Sequence, residues 1–211
     1  MNCAEQATAL PPVSEISGLF ESDRYVTEPR SFSQMRRLLT WNVVVFYSAF
    51  LVLVLRGARW ARRGEYTRQN WFNLSYDVVR LLERSGGVLD IAGLDNIRSI
   101  DGPVVFVSNH MSVLETVVIP CLVLKHSDLC ITLKQQLFEV PVFNRLLTGF
   151  RTISVTRTSP IEDYKTIIRD GQRALSEGYS VLVFPQSTRS TQFSPEDFNS
   201  VGIKLARRVG V

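Results

Sequence analysis

The chain carries its apolar residues in two rhythms. From Leu38 to Leu55 run 18 residues without a charge, a stretch that as a helix would span roughly 27 Å, just short of a hydrocarbon core of about 30 Å. Arg36 and Arg37 precede it, Arg56, Arg59, Arg62 and Arg63 follow it, and Trp41, Trp60 and Trp71 lie in or beside it, where interface anchors are found. Trp71 to Leu82 then reads as an amphipathic helix, with Trp71, Leu74, Val78, Leu81 and Leu82 on one face and Asp77, Arg80 and Glu83 mostly off it. Beyond this point, short β-branched runs alternate with segments of helical period. Pro103–Ser108, Leu129–Leu133, Thr152–Thr156 and Ser180–Phe184 predict strands. Ser112 to about Lys125 predicts a helix opened by a capping box, Gln135–Leu147 one broken or restarted at Pro141, and Pro160–Glu177 one that turns Ile167, Ile168, Ala174 and Leu175 inward and stops at Gly178. A further helix is expected from Pro195, with Ser194 as its N-cap. Strand–helix alternation of this kind predicts an α/β fold: a mostly parallel, mixed sheet flanked by helices.

The 211 residues divide on this reading into three parts: residues 1–35, polar and disordered or loosely attached; residues 36–85, a two-helix membrane anchor; and residues 86–211, the α/β domain. The anchor either spans the membrane, with the basic Arg56–Arg68 side cytoplasmic, or lies as a hairpin in one leaflet. No basic segment precedes an early apolar run, so no cleavable secretory signal is expected. Cys3, Cys121 and Cys130 are odd in number and lack metal-ligand spacing, which points to reduced structural thiols. Lys and Arg exceed Asp and Glu by 24 to 20. The basic residues gather at Arg56–Arg68, Arg151–Arg157 and Arg207–Arg208, suiting an anionic bilayer and phosphate ligands. No basic recognition helix or aromatic sheet motif points to nucleic acid.

The chemistry concentrates at strand ends. His110 falls in the turn after the first domain strand, and Glu115 in the first turn of the following helix, where side chains lean back toward the N-terminus. A carboxylate so placed can hold one imidazole N–H and leave the other nitrogen as a base. The plainer alternative is a capping glutamate beside a turn histidine. Lys134, Arg157 and Arg189 also follow predicted strands, and ligand sites of parallel sheets lie beyond the carboxyl ends of strands. Each cation has an ordinary alternative: Lys134 as a surface residue, Arg157 paired with Glu162 or Asp163, Arg189 at a helix C-terminus.

Three segments taken together resemble the glycerophospholipid acyltransferase family. They are Asn109-His110 through Glu115; Lys134-Gln135-Gln136-Leu137 through Pro141, continuing to Ile153–Arg157; and Phe184-Pro185-Gln186-Ser187-Thr188-Arg189-Ser190. The resemblance runs from about Leu89 to Val211. Glu115 stands where the family has Asp, Gln186 where it has Glu, Ser187 where it has Gly, and Asn144 and Arg151 where glycines are usual. It implies an enzyme that moves a fatty acyl group from acyl-CoA or acyl-carrier protein to a hydroxyl of lysophosphatidic acid or a similar phosphorylated glycerolipid. His110 and Glu115 would be catalytic, and Lys134, Arg157, Gln186, Ser187, Thr188 and Arg189 would bind substrate. Neither a metal nor an organic cofactor is expected. The expected partners are the phospholipid bilayer and the two substrates, and the expected location is the cytoplasmic face of a membrane, the bacterial inner membrane first. Other outcomes remain open: glycerol 3-phosphate or another lysolipid as acceptor, or a catalytically weak lipid-binding module. Relatives continue with a further apolar strand, so the domain is expected to be C-terminally incomplete.

Overall fold

The computed structural model describes residues 20–27, 41–186, 189 and 194–211. Most of the 1–35 segment, residues 36–40 and the three motif residues Ser187, Thr188 and Ser190 lie outside that description. In chain order the elements are β1 (Arg24–Val26), α1 (Trp41–Arg63), α2 (Arg68–Arg84), β2 (Asp90–Ala92), α3 (Leu94–Arg98), β3 (Val105–Val107), α4 (Leu114–Val123), β4 (Asp128–Lys134), α5 (Pro141–Leu147), β5 (Thr152–Val155), α6 (Pro160–Ser176), β6 (Tyr179–Val183) and α7 (Val201–Val209).

The main sheet has the order β3-β6-β4-β5 and every pairing in it is parallel. The central strands are apolar on both faces, because helices cover both. On one face Cys130, Ile153, Val181 and Val183 pack with Ile168, Ala174 and Leu175 of α6 and Leu205 of α7. On the other, Leu129, Ile131, Leu133 and Leu182 pack with Phe72 and Val79 of α2, Cys121 of α4 and Leu124 just after it. The alternation of Leu129, Ile131 and Leu133 with Cys130 is the period-two signature of a strand buried on both sides. Burial pushes the Cys121 and Cys130 thiols up to about 12, so both are inert apolar fillers. The segment before α5 breaks at Pro141 as its sequence predicts, into a 3-10 turn over Gln135–Glu139 and then α5.

Four expectations are corrected. Residues 20–27, expected to be loose, are fastened: β1 pairs antiparallel with β2, Arg24 grips Asp90 through two hydrogen bonds of 2.8 and 2.6 Å, and Phe20 is buried with its ring 4.9 Å from Tyr25. The apolar face of α2 does not lie in a leaflet; it is spent on α4 and the sheet, with Phe72 and Val79 fully buried. Trp71 is accordingly no interface anchor, being buried and stacked at 4.2 Å on Phe150. Ser194 caps nothing with its side chain: Pro195–Asp197 form only a 3-10 turn, and α7 starts later, where Asn199 Oδ1 accepts from the Val201 N–H at 3.0 Å.

Helix α1 runs eight residues past Leu55, into the basic segment, because Arg56 pairs with Asp77 of α2 and lies 5.0 Å over the Trp60 ring. A glycine lets it approach its neighbours. A Cβ on Gly57 would stand 2.5 Å from Leu146 Cδ1 of α5 and 2.8 Å from Leu74 Cδ2 of α2.

Helix α4 contains Pro120, which supplies no N–H and crowds the preceding turn. Ser75 of α2 repairs the disturbed ladder. Its hydroxyl donates to the Val117 carbonyl at 2.6 Å and accepts from the Cys121 N–H at 2.9 Å, standing between two groups that would bond each other in an unbroken helix. Ser75→Ala leaves both groups buried and unmatched. We expect it to lower unfolding stability by about 1–3 kcal/mol, read by denaturant or thermal melts, with Ser75→Thr recovering part of the loss.

Candidate active site

The carboxyl edge of the parallel sheet opens into a cavity of about 360 Å³, within the range of small-ligand sites. His110 after β3, Lys134 at the end of β4, Arg157 after β5 and Phe184 and Arg189 after β6 all line it, so four of the predicted site residues converge as the strand topology requires. The remaining walls are mostly apolar, with the hydroxyl residues Ser75, Thr116 and Thr132 set among them. Phe50, Leu53 and Val54 come from α1, Trp71, Leu74 and Val78 from α2, Val113 and Val117 from the start of α4, and Phe143 and Leu147 from α5. Tyr66 and Phe150, 5.8 Å apart, add an aromatic wall beside Trp71. Neither α1 nor the Tyr66–Phe150 pair was singled out from the sequence as cavity lining. Their apolar character is visible there, but which side it faces is not.

His110 leans against Phe184 with ring centroids 4.6 Å apart, and is half-buried. Desolvation lowers its pKa from the ordinary 6.5, Glu115 opposes that, and the positive charges of Arg157 and Arg189 add to it. The imidazole is thus neutral near pH 7 and able to take a proton. The expected hydrogen bond from Glu115 is not made. Nδ1 of His110 is buried with no partner among the described residues. The Glu115 carboxylate instead accepts from the Met111 N–H at 2.7 Å, from the Ser112 N–H at 2.7 and 3.0 Å, and from the Ser112 hydroxyl at 2.9 Å. Backbone N–H groups before a helix need acceptors, and here they win the carboxylate. Desolvation pushes Glu115 up, but the hydrogen bonds from its own backbone, Ser112 and Met111 outweigh that and hold it below its ordinary value. The capping reading of Glu115 therefore describes its contacts, while its charge still acts on His110.

The family resemblance implies a substrate contact at Gln186. That residue is almost fully buried at 2% exposure and turned inward: Oε1 accepts from the His110 backbone N–H, and Nε2 is buried without a partner among the described residues. The pairing ties the loop after β6 to the loop after β3. Asn199 secures the same loop by donating from Nδ2 to the Pro185 carbonyl.

The sequence offers Glu162 or Asp163 as a partner for Arg157, and Asp163 is in contact with it. The contact runs through the main chain. Asp163 Oδ2 accepts from the Arg157 N–H at 2.7 Å, and Oδ1 accepts from the Thr156 N–H at 2.8 Å and its hydroxyl at 3.0 Å. Arg151, also noted in the sequence, is drawn away from the site by Glu177 and the Tyr179 ring. Among the described residues, no group of three or more His, Cys, Asp or Glu side chains is placed to hold a metal ion.

The parallel sheet thus sets one histidine and three cations along the edge of a single, mostly apolar cavity. The acyltransferase family model matches residues 88–211, more than half of the chain, and the chain belongs to that family. It is similar to the 1-acyl-sn-glycerol-3-phosphate acyltransferase of Pseudomonas aeruginosa, with 29% identity over 171 residues covering 81% of this chain and 62% of the relative. The chloroplastic 1-acyl-sn-glycerol-3-phosphate acyltransferases of Brassica napus and Arabidopsis thaliana are 31% and 30% identical over 58% of this chain, which covers 34% and 33% of theirs. The chain thus spans less than two thirds of the length of these relatives. No solved structure matches it.

Proposed function

We propose that this protein transfers a fatty acyl group from a thioester, acyl-CoA or acyl-carrier protein, to the free hydroxyl of 1-acylglycerol 3-phosphate, a step of phospholipid biosynthesis. The observation that carries this reading is the shared cavity: His110 stands at its polar edge with Lys134, Arg157 and Arg189, and most of the rest of its wall is apolar. The acceptor phosphate suits the arginines, whose planar forks donate paired hydrogen bonds. Acyl chains suit the wall built by α1, α2, α4 and α5. In the reaction, the accessible nitrogen of His110 takes the proton of the acceptor hydroxyl as its oxygen attacks the thioester carbon. The C–S bond then breaks, and the imidazolium returns the proton to the leaving thiolate. Glu115 stabilises the imidazolium through its charge and fixes the turn that carries His110. Gln186 fixes the same turn from below by holding the His110 N–H.

The membrane is part of this proposal. Val43, Val44, Val45, Tyr47, Leu51, Val52 and Leu55 of α1 are all close to or more than half exposed, while Phe50, Leu53 and Val54 face the cavity. A helix with one flank in the protein and an apolar flank outward suits a bilayer surface, seated in one leaflet on the cytoplasmic face. Val113 and Leu137 are exposed apolar residues that also line the cavity.

A second reading, a lipid-binding module with weak catalysis, is favoured by one observation, the lack of a carboxylate on His110 Nδ1. One experiment separates the two. Full-length protein in phosphatidylglycerol-containing vesicles is given lysophosphatidic acid and a long-chain acyl-CoA, and free thiol is followed with a colorimetric reagent. Acceptor-dependent thiol release, with protein floating with the vesicles, is the expected result. Flotation without thiol release supports the binding module, and protein that stays in the aqueous phase removes the membrane proposal.

A further inference from the structure

Arg157 holds a backbone conformation that arginine seldom adopts. Its φ is 61°, in the left-handed region, and among the described non-glycine residues only Phe20 shares the sign. Such a residue persists where its surroundings over-determine it, and an outlier beside a functional cavity is a reason to ask what the strain achieves. Here the surroundings are identifiable. Both oxygens of Asp163 are turned back from the first turns of α6 onto the loop after β5, where they accept the consecutive N–H groups of Thr156 and Arg157 at 2.8 and 2.7 Å. Two neighbouring N–H groups converging on one anion form a nest, which Asp163 fills from within the chain. The Thr156 hydroxyl joins the cluster by donating to Asp163 at 3.0 Å and accepting from the Thr158 hydroxyl at 2.9 Å.

An acid early in a helix is ordinarily read as a partner for the helix dipole. That role does not explain this geometry. The start of α6 is provided for by Pro160 in its first turn and by Ser159, whose hydroxyl accepts from the Glu162 N–H. Glu162 already supplies an acid to the same turn. The Asp163 oxygens are used on the preceding loop.

We propose that Asp163 is a positioning residue for acceptor recognition, holding Arg157 in the left-handed conformation that brings its side chain to the cavity wall. Asp163 touches no substrate. Once the clasp is removed, the loop relaxes toward ordinary φ values and the guanidinium leaves the place where the acceptor phosphate sits. The inference rests on the assignment of Arg157 to the acceptor made above.

The test is steady-state kinetics of full-length protein in vesicles, with lysophosphatidic acid and acyl-CoA varied separately, for Asp163→Ala, Asp163→Asn, Arg157→Ala and the Asp163→Ala/Arg157→Ala pair. Asp163→Ala is expected to raise the acceptor KM roughly ten- to hundredfold, the scale of a lost positioning contact, with the acyl-CoA KM and kcat nearly unchanged. Asp163→Asn, which keeps one carbonyl oxygen for one N–H, is expected to fall between Asp163→Ala and the parent. In the paired variant the Asp163 change is expected to add nothing to Arg157→Ala, since both remove the same contact. Effects that multiply independently overturn the inference. So does a lowered melting temperature of Asp163→Ala with no change in acceptor KM, which is the signature of helix capping alone. A raised acceptor KM in Arg157→Ala with none in Asp163→Ala overturns this inference and leaves the acceptor assignment standing. No effect of Arg157→Ala on the acceptor overturns that assignment, and this inference with it.

Discussion

Replacing His110 by alanine is expected to cut acyl transfer about 10²- to 10⁴-fold, the usual contribution of a general base, with protein still recovered on vesicles. His110 meets its neighbours through its ring stacking on Phe184 and its backbone N–H on Gln186, and only the first is lost on truncation. A fall of that size with an unchanged melting profile therefore reports chemistry. The pH dependence provides a second check with a definite sign. The His110 pKa lies below 6.5, chiefly through desolvation, so the neutral base persists into mildly acidic solution and the acid limb of kcat/KM should fall below pH 6.5. Glu115 raises that pKa, so Glu115→Gln should move the limb lower still and also slow turnover. Arg157 and Arg189 lower it, so removing either should move the limb up. Turnover like the parent's in His110→Ala would end the catalytic assignment.

The second large effect is expected at Arg189, which lines the cavity at its exposed edge. Losing a charge-assisted hydrogen bond costs about 1.5–3 kcal/mol, or roughly 10- to 150-fold in kcat/KM. If Arg189 grips the acceptor phosphate, the loss should appear in the KM of lysophosphatidic acid and leave that of acyl-CoA nearly unchanged. Arg189→Lys should recover only part, because an ammonium cannot reproduce a planar fork. A rise confined to the donor KM would reverse the assignment of the two substrates, placing the thioester beside the loop after β6.

The sheet and its helices were legible because their apolar periods are long and regular. Leu129–Leu133 and Pro160–Glu177 could each be buried in only one manner, and parallel order followed from their alternation. The convergence of His110, Lys134, Arg157 and Arg189 followed in turn, since each ends a strand or lies in the loop after one. The ribbon of Arg24–Val26 with Asp90–Ala92 was not legible, because two three-residue strands far apart in sequence carry no period to read. The face of α2 was legible as apolar but not as to its neighbour, lipid and protein being alike in that respect. At Glu115 reach was legible and outcome was not. The carboxylate can approach either the imidazole or the turn's own N–H groups, and only the folded backbone decides between them. Asp163 left a trace, an acid six residues after the arginine, but the left-handed turn that gives it a role is invisible before folding.

Helix α1 offers the cavity Phe50, Leu53 and Val54, and offers the outside Leu51, Val52 and Leu55. If α1 is seated on a bilayer as proposed, two selective pressures act on interleaved residues of a single turn-and-a-half of polypeptide. A lineage that adapts this helix to a thicker or stiffer bilayer rotates or re-cuts the same rod that bounds the cavity, and so alters which chains fit. Lipid environment and chain preference should then drift as one heritable trait among homologues, and a chimaera that exchanges α1 alone should carry both from its donor.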